Sequence, residues 1–314
     1  MQKLYVVAGP TASGKTAVAI ELARQINGEI ISADSMQIYR YMDIGTAKPT
    51  KNEVVSVRHH LLDVALPSDQ FSVAEYTRLA TAAIQEMQSR NRIPILAGGT
   101  GFYINAVIYG TQFTESEAGQ HEKDNRLRKA YMQLAAEKGA IFLHEKLQAI
   151  DLDSAKAIHP NNIKRVARAL SFCESTGQLF SAHNAGQKAN TAKYETNLSI
   201  LTMPREILYE RINARVIAMW DAGLPEEVSR LLAQGYHPGL AAMQGIGYKE
   251  MVPYINGSQT KEETIAQIQQ VTRNYAKRQE TWFRHQAKNA WLVDVHNKTL
   301  EQIVEEILQC STNT

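Results

Sequence analysis

The sequence predicts an α/β fold in which a doubly wound parallel sheet is interrupted by a mainly helical insertion domain. Three observations support this prediction. Several short segments are continuously apolar, helical periodicity fills the chain between them, and a glycine-rich turn follows the first apolar segment. Continuous apolarity over about four residues is typical of strands buried on both faces of a parallel sheet. Alternation of such strands with helices builds a sheet that helices cover on both sides.

Six segments of the chain have the pattern of a buried strand. They lie at residues 3–9, 29–34, 59–64, 93–99, 198–203 and 290–295. Between the first two segments, apolar residues from Val18 to Ile26 recur at helical spacing. A second helix is predicted over residues 72–90, where Ser72 is suited to cap the N-terminus and Glu75 to complete a capping box.

The alternation of strands and helices stops in the middle of the chain. Residues 113–195 are largely polar and helical in pattern, without a convincing strand, and they predict a helical insertion domain. We assign residues 1–112 and 196–314 to the α/β core with its C-terminal helices. Residues 183–197, rich in small and polar side chains, are interpreted as the return linker.

The composition is that of an ordinary globular protein, with 44% hydrophobic and 21% charged residues among 314. No apolar run reaches the roughly 18 residues of a membrane span, and the first residues run directly into a strand pattern, which leaves no room for a signal peptide. Cys173 and Cys310 lack metal-ligand spacing. We therefore expect a cytoplasmic protein without a membrane partner. The net charge of +2 is too small to indicate a nucleic-acid partner by itself.

The glycine-rich turn fits the phosphate-loop pattern G-x-x-x-x-G-K-[ST] and lies between a predicted strand and a predicted helix. Its backbone amides and the helix N-terminus are suited to hold phosphate oxygens. Lys15 adds a charge, and the Thr16 hydroxyl is a candidate ligand of Mg²⁺. The core is therefore predicted to be P-loop NTPase-like, with a diphosphate-binding loop formed by Gly9, Pro10, Thr11, Ala12, Ser13, Gly14, Lys15 and Thr16. The loop recognises a diphosphate and not adenosine, so it does not by itself imply ATP.

Two polar residues follow strands that end near this loop. Asp34 comes after the second predicted strand, and position alone leaves three interpretations open: a carboxylate that holds Mg²⁺, a helix N-cap, or a general base facing the loop. Thr100 follows paired glycines after the fourth strand, where the backbone can approach a ligand closely. The same stretch could also be a plain strand-to-helix turn.

Six motifs occur in order along the chain: GPTASGKT, SADSMQIYRYMDIGTAKP, AGGTGFY, IHPNNIKRVARAL, GIGYKE and YAKRQETWFR. On these motifs the chain closely resembles the bacterial tRNA dimethylallyltransferases, from the first strand to about residue 295. The resemblance implies that the loop holds the diphosphate of dimethylallyl diphosphate, with Mg²⁺, and that no ATP is consumed.

The resemblance also implies roles for single residues. Asp34 is expected to be the general base for the N6 amine of the adenosine immediately 3′ of the anticodon. Thr100 is expected near the oxygen that bridges the prenyl carbon to the diphosphate. An arginine near the leaving group is expected on the helix after the fifth strand, with Arg215 as the first choice and Arg211 as the second. A surface salt bridge is the alternative role for either arginine.

A tRNA substrate needs a positive surface, and the late helix is one candidate. At about 100° per residue, Arg273, Lys277, Arg284 and Lys288 share a face that Glu280 interrupts, and Ile268, Val271, Tyr275 and Trp282 lie opposite. An ordinary solvated face is the alternative. By resemblance, the insertion domain contributes to tRNA binding, and contacts to the anticodon stem-loop are expected from Asp34, Ser35, Met36, Gln37, Lys164, Arg165, Arg168, Gln244, Gly245, Gly247, Tyr248, Lys249, Lys277, Arg278 and Arg284.

Two of these expected contacts need comment. Tyr248 is suited to base stacking. Many family members have an arginine where this chain has Gln244, which puts a specific contact there in doubt.

The target adenosine must leave its stack to reach Asp34, as in other enzymes that flip a base into a pocket.

Three rival functions remain open at this stage. A small-molecule or nucleoside kinase shares the loop and Mg²⁺, but it gives no role to DSMQIY and GGTGFY. A prenyltransferase acting on free adenine nucleotides would not need a basic helix, and a non-catalytic RNA-binding switch would not need Asp34. We expect no obligate protein partner, a monomer, and no metal site at Cys310. His59 and His60 begin an apolar strand and are interpreted as structural.

Overall fold

The computed structural model describes residues 2–111, 118–188, 191–287 and 289–310. Its centre is a six-stranded sheet in which all neighbouring strands are parallel, in the order β3-β2-β4-β1-β5-β6. The strands are β1 Lys3–Ala8, β2 Gly28–Ser32, β3 His59–His60, β4 Ile93–Gly98, β5 Glu195–Thr202 and β6 Trp291–Asp294. The prediction of six strands and an α/β class is confirmed.

The third strand is much shorter than its apolar pattern predicts. It ends at His60 because Leu61 and Asp63 have φ angles of 63° and 56°, which no strand can contain. The fifth strand is longer than predicted, since it already pairs with β1 at Glu195.

Helices fill the connections of the sheet. In the core they are α1 Lys15–Ile26, α2 Lys51–Ser56, α3 Val73–Ser89, α4 Gly101–Ile108, α10 Arg205–Asp221, α11 Leu224–Ala233, α12 Tyr248–Ile255, α13 Lys261–Gln286 and α14 Leu300–Cys310. Ser72 caps α3 by accepting a hydrogen bond from the Glu75 amide at 3.1 Å, as predicted. The Glu75 carboxylate is paired with Arg78, at 2.6 Å and 2.9 Å from its guanidinium, instead of completing a capping box.

The two faces of the sheet carry different hydrophobic cores. Leu4 and Val6 on β1 belong to a cluster with residues of α3 and α4. Tyr5 and Val7 belong to a second cluster with residues of α1 and α14. Because alternate residues of one buried strand face opposite helical layers, β1 must be apolar throughout, as its sequence indicates.

The chain divides into two compact units, one formed by Met1–Gly110 with Ala192–Thr314 and the other by Thr111–Thr191. Within its described residues the second unit contains α5 Ala118–Lys138, α6 Ala140–Ile150, α7 Leu152–Ala157, α8 Ile163–Thr176 and α9 Phe180–Lys188. It has its own core, in which Leu143, Leu147, Val166 and Leu170 are fully buried. Cys173 is buried on α8.

The faces predicted for the late helix are partly wrong. α13 buries Ile268, Ala276, Gln279 and Phe283, of which only Ile268 was expected. Arg273 does not belong to the exposed basic face, because its guanidinium donates to the Asn213 side chain on α10 at 2.6 Å. Lys277 and Arg284 are exposed as predicted, and Lys288 lies outside the described residues.

Candidate active site at the carboxyl edge of the sheet

The loop from Gly9 to Thr16 leads from β1 into α1 with a backbone that glycine makes possible. Gly9 and Gly14 have φ angles of 150° and 90°, and a Cβ at Gly9 would lie 2.9 Å from the Leu201 carbonyl oxygen. No side chain caps the start of α1. Its first amides therefore remain suited to bind an anion, to which the helix N-terminus adds positive potential.

Three charged side chains lie close enough to influence one another around this loop. Lys15 donates from Nζ to the Pro10 carbonyl at 2.6 Å. Burial lowers the pKa of Lys15 to about 7, with Asp34 acting in the opposite direction and Arg215 lowering it further. Burial also lowers the pKa of Arg215, again opposed by Asp34. Two basic side chains are thus buried near a single carboxylate. A bound anion would stabilise the charged forms of both.

The structure distinguishes the two arginines expected near the leaving group. Arg215 reaches the loop, with Nη1 at 3.4 Å from the Thr11 hydroxyl. Arg211 is exposed one turn away on α10. Only Arg215 is therefore placed to contact a group held by the loop.

Asp34 lies two residues beyond the end of β2. Its Oδ1 accepts a hydrogen bond from the Met36 amide at 2.9 Å, and it makes no other hydrogen bond within the described residues. The helix N-cap interpretation is wrong, since a turn follows and the next helix begins at Lys51. A half-buried carboxylate with remaining acceptor capacity is suited to receive a proton.

Thr100 meets the Asp34 segment across the sheet edge. Its Oγ1 accepts from the Ser35 amide at 3.0 Å and lies 3.4 Å from the Ser35 hydroxyl. This approach depends on Gly98, where a Cβ would lie 2.1 Å from the Ala33 carbonyl oxygen. Gly98 therefore lets the end of β4 approach the end of β2, whereas the sequence analysis expected the paired glycines to allow a close approach to a ligand.

Two residues of α13 complete this site, and the sequence analysis assigned neither of them to it. Burial raises the pKa of Tyr275 to about 12, with a contribution from Asp34, while hydrogen bonds with Thr100 and Gln279 act against the shift. Gln279 accepts from the Thr11 amide at 2.8 Å and donates to the Gly99 carbonyl at 2.9 Å. Both lie in the motif YAKRQETWFR, but Tyr275 was predicted on a plain apolar face and Gln279 was given no role.

The loop also provides the oxygen donors that a magnesium ion prefers. Thr16 offers a hydroxyl in the first turn of α1, beside the loop where phosphate oxygens would supply further ligands. Ser13 Oγ is buried and has no hydrogen-bond partner among the described residues. The loop therefore contains a polar oxygen that the fold itself does not satisfy.

Several expected RNA contacts are engaged within the protein. The Gln37 carboxamide accepts from the Ser32 hydroxyl at 2.8 Å and donates to the carbonyls of Thr46 and Ala47 at 3.3 Å and 3.2 Å. Ser35 and Met36 are half-buried. Hydrogen bonds of Gln37 thus join the segment that carries Asp34 to the segment around Thr46.

The expectation that Tyr248 stacks on a base is wrong for this structure. Tyr248 is 1% exposed, its ring lies against Gly45, and its hydroxyl donates to Glu227 at 2.6 Å. Glu227, which the sequence did not single out, also accepts from the amides of Asp43, Ile44 and Gly45. Among the remaining predicted residues of the GIGYKE region, Gly245 and Gly247 are buried, and Gln244 and Lys249 are exposed.

The cations predicted to bind RNA lie on one helix of each unit. Lys164, Arg165 and Arg168 are exposed in the first half of α8. On α13, Lys277, Arg278 and Arg284 are exposed.

The two histidines are accounted for by local structure. His59 contacts the Val57 carbonyl through Nδ1 at 2.8 Å. His60 Nε2 lies 2.7 Å from the buried carboxylate of Glu29. Glu29, His60 and Glu86 are close enough to hold a metal ion, but Arg90 already pairs with both carboxylates.

Among the helices of the described residues, none has both the length and the apolar composition that a membrane span requires.

The fold and the loop define a P-loop-like α/β protein in which a carboxylate faces an anion cradle at the sheet edge. The family model of the IPP transferases matches residues 37–286. The chain is 46% identical to a tRNA dimethylallyltransferase of Lachnoclostridium phytofermentans, covering 99% of this chain and 98% of the relative. It is 47% identical to that of Geobacillus thermodenitrificans, covering 98% and 96%. The crystal structure of a tRNA delta(2)-isopentenylpyrophosphate transferase from Staphylococcus epidermidis matches with a TM-score of 0.72 and 40% identity, covering 100% of both chains. The chain belongs to the IPP transferase family.

Proposed function

We propose that this protein transfers the dimethylallyl group of dimethylallyl diphosphate to N6 of adenosine 37 of tRNA, immediately 3′ of the anticodon. The products are N6-(dimethylallyl)adenosine and diphosphate. The names of the relatives support this reaction. The observation that carries the proposal is the electrostatic interaction of Asp34 with Lys15 and Arg215, together with the hydrogen bond that joins the next residue, Ser35, to Thr100, because these place a proton acceptor near an anion cradle.

In this mechanism the loop stabilises the leaving group. The uncapped amides of α1, the Lys15 ammonium and the Arg215 guanidinium bind the diphosphate and hold the charge that develops as the C–O bond breaks. The Thr16 hydroxyl would hold Mg²⁺, which supplies further neutralisation of the diphosphate. The Thr100 hydroxyl lies next to the Asp34 segment, where it can contact the bridging oxygen.

Asp34 acts on the incoming nucleophile. The lone pair of an adenine amine is delocalised into the ring, so the amine is a poor nucleophile until its proton is accepted. Asp34 takes that proton as the new C–N bond forms, a contribution that is typically about 10²–10⁴-fold in rate. The adenosine leaves its stack to reach the half-buried carboxylate.

RNA binding is assigned to exposed cations. Lys277, Arg278 and Arg284 on α13 are suited to contact phosphates, and so are Lys164, Arg165 and Arg168 on α8. We also propose that the protein acts as a monomer in the cytoplasm.

The test follows labelled dimethylallyl diphosphate into an unmodified anticodon stem-loop in the presence of Mg²⁺. Asp34→Asn keeps the side-chain volume but removes the base, and we expect transfer to fall by about 10² or more while the affinity for RNA is unchanged. Asp153→Asn, at an exposed position on α7, is the matched control. Phosphate transfer from ATP without prenyl transfer would establish a kinase instead. Labelling of free adenosine monophosphate in preference to RNA would establish the other prenyltransferase.

A further inference from the structure

Gln279 occupies a buried position between two loops of the active site. Its side chain is supplied by α13, and the residue is 6% exposed. The carboxamide oxygen accepts from the Thr11 amide at 2.8 Å, and the nitrogen donates to the Gly99 carbonyl at 2.9 Å. Thr11 belongs to the diphosphate loop, and Gly99 immediately precedes Thr100.

The space for this carboxamide is made by a glycine. A Cβ at Gly99 would lie 2.2 Å from Gln279 Nε2 and 3.3 Å from the Gly9 carbonyl oxygen. Any larger residue at this position would displace the glutamine. The carboxamide must also keep one orientation, because an acceptor is needed toward Thr11 and a donor toward Gly99.

Thr11 is consequently held from two directions. Gln279 binds its backbone amide, and Arg215 lies 3.4 Å from its hydroxyl. Fixing the Thr11 amide fixes the peptide plane at the beginning of the loop, which limits where the following amides can point. An anion binds more tightly to a loop that is already ordered, because binding then includes no free-energy cost of ordering the loop.

We propose that Gln279 is a positioning residue that holds the diphosphate loop in its binding conformation and in register with Thr100. The identity of the natural ligand rests on the proposed function. The positioning role itself requires only that the loop binds a diphosphate, so inorganic diphosphate with Mg²⁺ can serve as the probe.

Gln279→Met tests this role with a side chain of similar length that forms neither hydrogen bond. We expect the dissociation constant for inorganic diphosphate, measured by calorimetry, to rise about tenfold, because a loop without these bonds must be ordered when the ligand binds. The dissociation constant for the anticodon stem-loop, measured by fluorescence anisotropy, should stay within about twofold. Gln270→Met, at an exposed position of the same helix, is the matched control.

Gln279→Glu keeps the acceptor toward Thr11 but cannot donate to Gly99, and it adds negative charge beside the ligand. It should weaken diphosphate binding at least as much as the methionine variant, and it decides the question if that variant does not fold. Wild-type diphosphate affinity in either folded variant would overturn the proposal, as would an equal loss of RNA affinity. A wild-type protein that binds no diphosphate would also overturn it. A wild-type protein that binds diphosphate but transfers no prenyl group would refute only the proposed function.

Discussion

Replacing Glu227 by glutamine is expected to destabilise the protein strongly. The carboxylate is 2% exposed. One oxygen accepts from the amides of Asp43 and Ile44, both at 2.9 Å, and the other accepts from the Gly45 amide at 3.1 Å and the Tyr248 hydroxyl at 2.6 Å. A carboxamide has a single accepting oxygen. When that oxygen faces Asp43 and Ile44, the Gly45 amide is left facing an NH₂ group that cannot accept, and the Tyr248 hydroxyl must turn to become an acceptor. When it faces Gly45 and Tyr248, the amides of Asp43 and Ile44 are left without an acceptor.

The size of the effect follows from these four hydrogen bonds. Each bond to a charged acceptor contributes about 1.5–3 kcal/mol, so losing at least one of them, together with the negative charge that strengthens the others, predicts a decrease of about 3–5 kcal/mol in the free energy of unfolding. Tyr248→Phe removes a single donor and should cost about 1–2 kcal/mol. In the double variant the carboxamide no longer has to face the Tyr248 hydroxyl, so the combined loss should fall short of the sum by about 1 kcal/mol.

Urea unfolding followed by circular dichroism measures these free energies by linear extrapolation. Glu226→Gln is the matched control, because Glu226 is the residue before Glu227 on α11 and its side chain is exposed. The free energy of unfolding of this control should stay within about 0.5 kcal/mol of wild type. A loss of less than about 1 kcal/mol in Glu227→Gln would refute this explanation. So would a loss in the double variant that equals the sum of the losses in the two single variants.

The same substitution has a functional consequence that stability alone does not produce. Glu227 holds residues 43–45, and the following carbonyls of Thr46 and Ala47 accept from the Gln37 carboxamide. Under conditions where the variant is folded, RNA binding should weaken while the affinity for inorganic diphosphate is retained. Equal losses for both ligands would contradict this role.

Two further predictions concern charge. Hydrogen bonds from Arg90 lower the pKa of Glu29 to about 2, so its stabilising contribution is complete above about pH 4.5 and is lost as the pH falls toward 2. Urea unfolding should therefore show Glu29→Gln less stable than wild type at pH 7, with the two curves converging near pH 2, and a gap that does not change with pH would contradict the prediction. Arg284→Ala should reduce the salt dependence of RNA binding by about one ion. Arg273→Ala, at a residue bonded to Asn213, should reduce stability and leave the salt slope unchanged, and the reverse result would exchange their roles.

The sheet and the ligand loop could be predicted because their signals are local. Continuous apolarity marks β1, β2 and β4, and the phosphate loop is a contiguous motif between a strand and a helix. The parallel topology then places Asp34 and Thr100 at the same edge of the sheet. The early end of β3 was not predictable, because leucine rarely adopts the positive φ found at Leu61.

The residues that the sequence analysis missed act through long-range contacts. Gln279 is 268 residues from Thr11 and 180 from Gly99, so nothing local indicates which backbone groups it binds, although it lies in the motif YAKRQETWFR. The faces of α13 were misjudged for a related reason. Ile268, Ala276 and Phe283 belong to three different hydrophobic clusters, so this helix is packed on more than the single face that a periodicity argument assumes.

Two of the missed residues, Gln279 and Glu227, nevertheless follow one physical rule. Functional loops must be fixed although their backbone cannot enter a sheet or a helix, and a buried polar side chain from a later helix can supply the missing partners. Gln279 does this for the diphosphate loop and Glu227 for residues 43–45. The two sets of partners have no residue in common. If the proposed function is correct, the part of the site that binds diphosphate and the part that binds RNA should therefore be separable, so that Gln279→Met weakens only diphosphate binding and Glu227→Gln weakens only RNA binding. A variant of either residue that weakens both would show that the two halves are mechanically joined.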